Sequence, residues 1–455
     1  MRLFSIDEVV NRVELVEPAT VFGKVSKVVG MVVEGYAPRA KVGSMCRINT
    51  GPGHGQDIKA EVVGFRGHTA LLMPLGEIRG VQMGSTIEVD RVETVQSVGD
   101  GLLGRVIDGM GHPIDGRGPL NVKEHWPLYS DPTNPLDRAP IKEPLELGIR
   151  AMDGLCTLCK GQRMGIMSGS GVGKSVLLGM IARNTSADVK VIALIGERGR
   201  EVKNFIDNNL TATGLENSVV IAAASDQPPL VRMRGAFVAT AIAEYFRSQG
   251  KSVLLMMDSI TRFAMAQREV GLAVGEPPTT KGYTPSVFSQ LFRLMERAGT
   301  CSGKGAITGL YTVLVEGDDL NDPVADSARS ILDGHVVLSR ELAQRNVYPA
   351  LDVTASISRV MGEVMQPWHV RLANRFREVL SNYAKAEDLI NIGAYTKGNN
   401  AKIDEALEKI DAITDYIKQD MDKKVGFEES LLKLREIFPG EAEEENAQQK
   451  EAQAQ

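Results

Sequence analysis

The sequence has few of the features that mark secreted and membrane proteins. Its 455 residues include only four cysteines, too few for a disulfide scaffold and typical of a reducing compartment. The apolar runs, such as residues 253–257, are far shorter than the roughly 18 residues that a membrane span needs. Asp7 and Glu8 stand where a signal peptide keeps an apolar stretch. The sequence therefore predicts a protein that is neither secreted nor embedded in a membrane.

Excess positive charge and aromatic residues are also scarce. The 52 lysines and arginines are outnumbered by 58 aspartates and glutamates, which gives a net charge of −6, and aromatic residues make up 5%. A mildly acidic chain is a poor candidate for a protein held to nucleic acid by charge. Hydrophobic residues make up 43%, enough for a large buried core. At roughly 100–200 residues per domain, the length fits two to four domains.

The first two segments of the chain differ in their residue patterns. Residues 1–15 begin with a capping box, in which Ser5 precedes Glu8 by three positions, and continue with apolar residues on one helical face. This amphipathic helix either packs on its own domain or forms an arm that docks on a partner. Residues 16–95 contain short β-rich runs separated by glycine and proline, a pattern typical of a small barrel or sandwich.

The remaining three segments carry other patterns. In residues 96–364, strands alternate with helical stretches, which indicates βαβ units around a parallel sheet. Residues 365–439 are predicted to be helical, with helices over 368–392 and 400–421. Apart from Gly440, residues 440–455 are only glutamate, alanine, glutamine, asparagine and one lysine, which cannot bury a core. They are predicted to form a disordered acidic tail.

The strongest chemical signal is a glycine-rich turn between a strand-like and a helix-like run. Backbone amides of such a turn surround phosphate oxygens, and the helix N-terminus adds partial positive charge. In this pattern Lys174 reaches the β- and γ-phosphates of a nucleotide, and the Ser175 hydroxyl ligates magnesium. The usual first glycine is replaced by Ser168, which costs little where the backbone needs no positive φ. The predicted nucleotide-binding residues of the turn are Ser168, Gly169, Ser170, Gly171, Val172, Gly173, Lys174 and Ser175.

Two carboxylates follow apolar runs of the predicted sheet. Hydrolysis needs a carboxylate on the magnesium side and a group that orients water. Asp258 ends the run 253–257, where a carboxylate that holds magnesium is expected. Glu197 follows the run 191–195 at the edge of the sheet where ligands bind, and it is the candidate base or water-orienting group. On this pattern alone, a solvated surface glutamate is an equally good interpretation of Glu197.

Beyond these motifs, the sequence resembles the catalytic subunits of rotary ATPases. It is still more similar to the ATPases of bacterial type III protein export, above all those of the flagellum. The resemblance covers residues 18–437. It is carried by the sequence segments IRAMDGL, ALIGERGREV and VLVEGDDLNDPVADSARSILDGH. It implies an α/β P-loop ATPase core of the RecA-like kind, with an N-terminal small β-barrel for oligomerisation and a C-terminal helical domain. It also implies an enzyme that hydrolyses ATP with magnesium.

The resemblance implies a role for each site residue. Glu197 is the catalytic glutamate, Lys174 binds phosphate, and Arg198 neighbours the phosphates. Tyr348 stacks on adenine. Arg359 is an arginine finger offered to the nucleotide of the neighbouring subunit, where it supplies positive charge to the transferring phosphoryl group. The implied metal ligands are Ser175 and Asp258.

The partners and the location are also implied by the resemblance. The family forms homo-hexamers with an active site at each interface, so one chain supplies both Glu197 and Arg359. In flagellar relatives, the region of residues 1–15 binds a stator-like regulator. Further expected partners are a coiled-coil stalk protein in the ring, membrane proteins of the export gate, and export substrates with their chaperones; no nucleic acid is expected. The expected location is the cytoplasm, peripheral at the inner membrane through the export apparatus.

Four alternatives are weighed against the flagellar prediction. A virulence-type export ATPase shares the same motifs. A rotary ATP synthase catalytic subunit has an acidic loop where this chain has residues 390–395, and it lacks the short arm. An RNA translocase of the Rho type needs basic and aromatic residues on its barrel, and residues 16–95 contain only three aromatics and no basic run. A ring subunit that only binds nucleotide usually lacks the carboxylate of Glu197.

Cys156 and Cys159 have the C-x-x-C spacing of a metal or redox site. A zinc site needs a second pair of ligands, and the other cysteines are isolated. The two remaining interpretations are a pair of incidental thiols and a redox pair.

Overall fold

A computed structural model describes residues 21–51, 57–90, 94–315, 317 and 322–439 of the chain. The predicted partner-binding arm at residues 1–15 and the predicted tail at residues 440–455 lie outside the described residues. The chain divides into two compact units, Met1–Thr94 with Ala273–Gly275, and Val95–Leu272 with Glu276–Gln455.

The first unit contains a closed barrel of six antiparallel strands. The strands are β1 (Gly23–Val29), β2 (Val32–Tyr36), β3 (Met45–Ile48), β4 (Ile58–Arg66), β5 (Thr69–Pro74) and β6 (Thr86–Val89). Hydrogen bonds link them in the order β1, β2, β5, β4, β3, β6, and β6 pairs with β1 to close the barrel. Val33, Ile48, Leu72 and Ile87 are fully buried in its interior. The apolar side of each strand therefore builds one small core.

The second unit contains eleven of the described strands, most of which form one largely parallel sheet. Its strands are β7 (Val95–Val98), β8 (Arg105–Asp108), β9 (Glu124–Pro127), β10 (Arg163–Ser168), β11 (Val189–Ile195), β12 (Ser218–Ala223), β13 (Ser252–Asp258), β14 (Gly299–Thr300), β15 (Ala306–Leu314), β16 (Gly334–Leu338) and β17 (Leu351–Ser358). Nine of the described strands form one sheet in the order β17, β16, β10, β15, β13, β11, β12, β8, with β14 paired to β15. Only β14 and β17 run antiparallel to their neighbours in it. Every residue of β11 is buried, as expected for a strand covered on both faces.

Helices cover the sheet and form the C-terminal region. They are α1 (Arg150–Leu155), α2 (Lys174–Asn184), α3 (Gly199–Asn204), α4 (Thr211–Glu216), α5 (Pro229–Ser248), α6 (Ile260–Val274), α7 (Pro285–Glu296), α8 (Pro323–Ile331), α9 (Arg340–Gln344), α10 (Met361–Val364), α11 (Pro367–Asn391), α12 (Ala401–Ile417) and α13 (Phe427–Ile437). A π-helical turn, Phe205–Leu210, separates α3 from α4. The buried helix α5 packs on β11, β12 and β13. None of the helices within the described ranges combines the length and the apolar character that a membrane crossing requires.

The three C-terminal helices α11, α12 and α13 pack on one another and on α1. Phe376, Ile413 and Leu434 are buried between them, in the same core as the sheet. The predicted helix over residues 400–421 is wrong at its end, because α12 stops at Ile417. Tertiary hydrogen bonds to the chain after α12 replace the helical ones there, as described below. The predicted order of an N-terminal barrel, an α/β core and a C-terminal helical region is confirmed.

Candidate nucleotide-binding site

The glycine-rich turn connects the end of β10 to the start of α2. Gly171 and Gly173 have φ angles of 78° and 90°, in the left-handed region that glycine adopts without steric cost. Ser168 is the last residue of β10, so its extended backbone needs no glycine. Val172 is buried beneath the turn, whereas Ser170 and Ser175 are exposed. The turn thus combines left-handed glycines with the N-terminus of an eleven-residue helix, an arrangement that binds phosphate.

Lys174 lies between the two predicted carboxylates. Its Nζ atom is 3.2 Å from Oε1 of Glu197 and also contacts Oδ1 of Asp258. Asp258 is the last residue of β13, and Glu197 follows the adjacent strand β11 after Gly196. Because parallel strands end at the same edge of the sheet, residues far apart in sequence meet beside the turn. Lys174, Glu197 and Asp258 are therefore brought together, as expected from the sequence.

This triad is largely shielded from solvent, which perturbs its titration. Burial lowers the pKa of Lys174, but the carboxylates of Asp258 and Glu197 outweigh burial and leave that pKa above its usual range. Burial raises the pKa of Glu197, and the nearby Lys174 charge only partly opposes this rise. Lys174 is thus held protonated, while Glu197 binds a proton more readily than an exposed glutamate.

A further residue supports Asp258 and was not found from the sequence. The hydroxyl of Thr312 on β15 donates a hydrogen bond to Oδ1 of Asp258 at 2.7 Å. β15 lies between β10 and β13, so Thr312 belongs to the strand that separates the turn from Asp258. The sequence signal that could have identified Thr312 is its position near the end of a buried, largely apolar strand. A buried hydroxyl group there needs a hydrogen-bond partner.

Two buried polar atoms near the turn lack a hydrogen-bond partner among the described residues. They are Oγ of Ser168 and Nε of Arg262. The side chain of Arg262 packs on Gly196, where an added Cβ would lie 2.8 Å from Cβ of Arg262. Unpaired buried groups are uncommon in folded proteins, and at this edge of the sheet they are available to a polar ligand. Sequence reasoning did not identify Arg262.

The donor set also fits magnesium bound together with a nucleotide. Hard oxygen ligands suit magnesium, and Ser175 and Asp258 offer a hydroxyl and a carboxylate beside the turn. Within the described part of the chain, no three histidine, cysteine, aspartate or glutamate side chains are grouped to hold a metal ion. A protein site with so few ligands suits an ion that keeps waters and phosphate oxygens in its shell.

A cleft of about 680 Å³ opens beside the turn. Tyr348 lies in its wall, and a Cβ added to Gly173 would lie 3.4 Å from Cε1 of its ring. The other wall comes from the chain after α12, which the sequence did not associate with the site. The cleft is lined by Gly173, Val176, Leu177, Met180, Asn346, Tyr348, Pro349, Lys418, Gln419, Asp420 and Met421.

The two predicted arginines lie apart from this group. The side chain of Arg198 is 77% exposed, and its guanidinium is 3.9 Å from Glu201. Arg359 is exposed, and its N–H donates to the carbonyl of Asp333 beside the start of β10. The turn follows the other end of β10, so the length of that strand, about 16 Å at ~3.3 Å per residue, separates Arg359 from it.

Cys156 and Cys159 are both buried. Burial raises the pKa of Cys159 to about 12 and also raises the pKa of Cys156. Neutral buried thiols are poor nucleophiles and poor metal ligands, so the arrangement favours incidental thiols over a redox pair.

Three segments of the chain match models of known protein families. Residues 148–358 match the nucleotide-binding domain of the ATP synthase alpha/beta family, and residues 25–89 match the beta-barrel domain of that family. Residues 365–436 match the C-terminal domain of the T3SS EscN ATPase.

Individual relatives match over nearly the whole chain. The flagellum-specific ATP synthase of Bacillus subtilis (strain 168) is 49% identical over 95% of this chain and 98% of its own length. The type 3 secretion system ATPase of Xanthomonas euvesicatoria is 47% identical over 91% of this chain and 94% of its own. The structure of the assembled ATPase EscN of enteropathogenic E. coli, in complex with its central stalk EscO, matches with a TM-score of 0.84 and 43% identity, over 91% of this chain and 99% of that one. The chain therefore belongs to the family of flagellum-specific ATP synthases and type 3 secretion system ATPases, and it is an ATP-hydrolysing enzyme.

Proposed function

We propose that the chain hydrolyses ATP at this site, within a ring of six identical subunits, to drive protein export through the flagellar type III apparatus. The observation that carries the proposal is the position of Lys174 between Glu197 and Asp258 at the end of a phosphate-binding turn. A cation between two carboxylates beside a helix N-terminus is what the binding and cleavage of a phosphoanhydride require.

Each residue of the site has a task in this reaction. The amides of the turn and the ammonium group of Lys174 bind the phosphates, and Tyr348 stacks on the adenine. Ser175 and Asp258 hold magnesium, which neutralises charge on the phosphates when it is bound. Glu197 orients a water molecule and accepts its proton as the water oxygen bonds to the γ-phosphorus. The bond to the bridging oxygen breaks, and its electron pair leaves with ADP.

The arginines complete the site from two directions. Arg198 follows Glu197 directly and turns toward the phosphates once a nucleotide occupies the site. Arg359 lies at the far end of β10, so it serves the nucleotide of the neighbouring subunit rather than its own. The assembled form of the relative EscN supports a ring, in which each interface joins one chain's Glu197 to the next chain's Arg359.

The assembly gives each segment a role. Residues 16–95 act as the oligomerisation barrel, residues 96–364 as the ATPase domain, and residues 365–439 as the helical domain that faces the export gate. The arm at residues 1–15 docks a stator-like regulator, and a coiled-coil stalk protein occupies the ring, as the complex of EscN with its central stalk suggests. These partners, with export substrates and their chaperones, hold the cytoplasmic ring at the inner membrane.

Export for virulence is the second candidate. The relative from Xanthomonas euvesicatoria is 47% identical, only slightly below the 49% of the flagellar relative. The flagellar assignment is tested by deletion of the gene in its host. Loss of filaments and of swimming supports it, whereas normal motility with a defect in effector secretion favours the second candidate.

ATP hydrolysis itself is tested by magnesium-dependent phosphate release at increasing protein concentration. Specific activity rises with concentration if the site is completed by a neighbour. Glu197→Gln lowers kcat by roughly 10²-fold or more, because the base is lost without a change of shape. Glu216→Gln, an exposed glutamate at the end of α4, is the matched control. Activity that survives Glu197→Gln would overturn the proposal.

A further inference from the structure

The wall of the nucleotide cleft that faces Tyr348 is formed by residues 418–421, which we call the wall segment. The segment follows directly after α12 and ends before the loop to α13. It belongs to the C-terminal helical region, whereas the turn and Tyr348 belong to the α/β core. The width of the cleft therefore depends on what attaches the wall segment to the core.

Gln419 makes this attachment with both its side chain and its main chain. Its Oε1 accepts a hydrogen bond from the N–H of Arg150 at 2.8 Å, and its Nε2 donates to the carbonyls of Gly148 and Lys423, both at 2.8 Å. Its own N–H donates to the carbonyl of Tyr348 at 2.9 Å. Gln419 is only 8% exposed, so these bonds are shielded from water. One side chain thus ties the wall segment to the start of α1, while the adjoining peptide holds Tyr348.

Two arginines of the core donate hydrogen bonds to carbonyl groups in the wall segment and at the end of α12. The guanidinium of Arg150 donates to the carbonyls of Asp415 and Lys418. Arg183, in the last turn of α2, donates to the carbonyl of Met421 at 2.7 Å. The helix that begins at Lys174 thus reaches the wall segment at its other end. These bonds also explain why α12 stops at Ile417.

We propose that Gln419 is a positioning residue for the base of the bound nucleotide, an inference that rests on the proposed function. It fixes the position of the wall segment relative to Tyr348, and it connects the cleft to α12. Lys174, Glu197 and Asp258 act on the phosphates and are not bonded to Gln419. A base contact is made equally in the ground state and in the transition state, so Gln419 governs KM rather than kcat.

The test compares Gln419→Ala with Gln366→Ala, which removes the same amide from an exposed position at the start of α11. Gln419→Ala is expected to raise KM for ATP roughly 10-fold while kcat changes less than about 2-fold, because the wall segment loses its buried anchor. Gln366→Ala should keep both parameters. Equilibrium binding of ATP in a Glu197→Gln background, where turnover is slow, checks that KM follows affinity.

A double-mutant cycle separates positioning from general stability. If Gln419 acts through the base, Gln419→Ala should add little to the KM of Tyr348→Ala, because both variants lose the same contact. A purely structural role would give additive changes and a loss of kcat that follows thermal stability. Should Gln419→Ala fail to fold, Arg183→Ala releases the other end of the wall segment and should raise KM in the same way.

Failure of the proposed function and failure of the positioning role of Gln419 give different experimental results. A wild-type chain that binds ATP but never hydrolyses it contradicts the proposed function and leaves the expected loss of affinity in Gln419→Ala measurable by equilibrium binding. An active wild type whose Gln419→Ala and Arg183→Ala variants keep the wild-type KM overturns the positioning role.

Discussion

At the residue scale, Lys174 contacts two carboxylates at once. One ammonium group faces Glu197 and Asp258, so the triad carries one more negative than positive charge. A nucleotide's phosphates compete for the same ammonium group. When Lys174 turns to them, Glu197 loses the cation that holds its pKa down, whereas the burial that raises that pKa remains. In the proposed function, this exchange makes Glu197 a better proton acceptor.

The raised pKa of Glu197 predicts an acid limb in the pH–rate profile. The carboxylate must be ionised to accept a proton, so kcat falls as pH decreases through the pKa in the complex. Because burial raises that pKa, the midpoint of the limb lies above the value of about 4.3 for an exposed glutamate. The measurement is kcat between pH 4.5 and 8, with circular dichroism to exclude unfolding. A rate that stays constant down to pH 4.5 would contradict this role.

Thr312 offers a second test at this scale. Thr312→Val keeps the shape of the side chain but removes the hydroxyl that donates to Asp258, so Asp258 is less firmly oriented. We expect kcat to fall roughly 10-fold, about one good hydrogen bond in the transition state, and Thr312→Ser to restore most of it. Thr308→Val is the control, since that hydroxyl on the same strand bonds to the N–H of Gly161 instead. Equal losses in both valine variants would show a general effect on the strand.

The site residues divide into those that the sequence reveals and those that only the fold reveals. Lys174 belongs to a contiguous motif, and Glu197 and Asp258 each follow an apolar run, so local patterns are enough to identify all three. Thr312 and Gln419 act through neighbours more than 50 residues away in the chain. No local pattern states which strands are adjacent or which loop returns to the cleft, so these two contacts required the structure.

At the scale of elements, the short helix α1 depends on one buried carboxylate. Both oxygens of Asp153 accept hydrogen bonds, from the N–H groups of Leu147 at 3.0 Å and Gly148 at 2.9 Å. Burial raises the pKa of Asp153 to about 7, although the backbone N–H groups oppose this rise. The same segment, residues 147–150, also forms hydrogen bonds with the side chain of Gln419. The start of α1 is therefore a junction between the core and the C-terminal helices.

The prediction for this junction concerns how the stability of the folded protein depends on pH. The pKa of Asp153 is higher folded than unfolded, where it is about 3.9, so its contribution is fully present below pH 4 and is lost as pH rises through 7. Asp153→Asn places an amide N–H₂ against backbone N–H groups and lowers the thermal midpoint Tm. The difference in Tm between wild type and variant should be larger at pH 5.5 than at pH 8. A difference that grows with pH would contradict the raised pKa.

Elements with long apolar patterns were the most predictable. The fully apolar runs 191–195 and 253–257 form most of β11 and β13, which lie in the centre of the sheet, where burial on both faces selects such residues. The four-residue barrel strands β3 and β6 carry too little pattern to be recognised alone. The predicted end of α12 is wrong because hydrogen bonds of Arg150 and Gln419 with distant parts of the chain terminate the helix. No local stop signal marks this end in the sequence.

At the scale of the whole molecule, the topology of the sheet separates two residues that the proposed reaction needs together. Glu197 lies at the edge where the parallel strands end. Arg359 follows β17, which runs antiparallel and returns the chain to the opposite edge, where Ser358 pairs with Gly334. A single chain therefore has the proposed base and the proposed finger at opposite ends of its strands. In the proposed ring, a neighbouring copy brings its Arg359 to the phosphates.

This separation predicts complementation between two inactive chains. Glu197→Gln lacks the base, and Arg359→Ala lacks the finger, which is worth about 10³-fold or more in rate. In a mixed ring, some interfaces join the intact Glu197 of one chain to the intact Arg359 of the other, so the mixture should regain a sizeable fraction of the wild-type rate. Arg340→Ala, an exposed arginine at the start of α9, is the control and should remain active alone.

The amount of recovered activity distinguishes the two arrangements. If Arg359 acts on the neighbour, random mixing at equal amounts leaves about one interface in four with both groups intact, provided that subunits exchange. Dilution below the assembly concentration should abolish the recovery, because the shared site then falls apart by mass action. If Arg359 served its own chain, no interface of the mixture would hold both groups, and its rate would stay at the mean of the two inactive variants at every concentration.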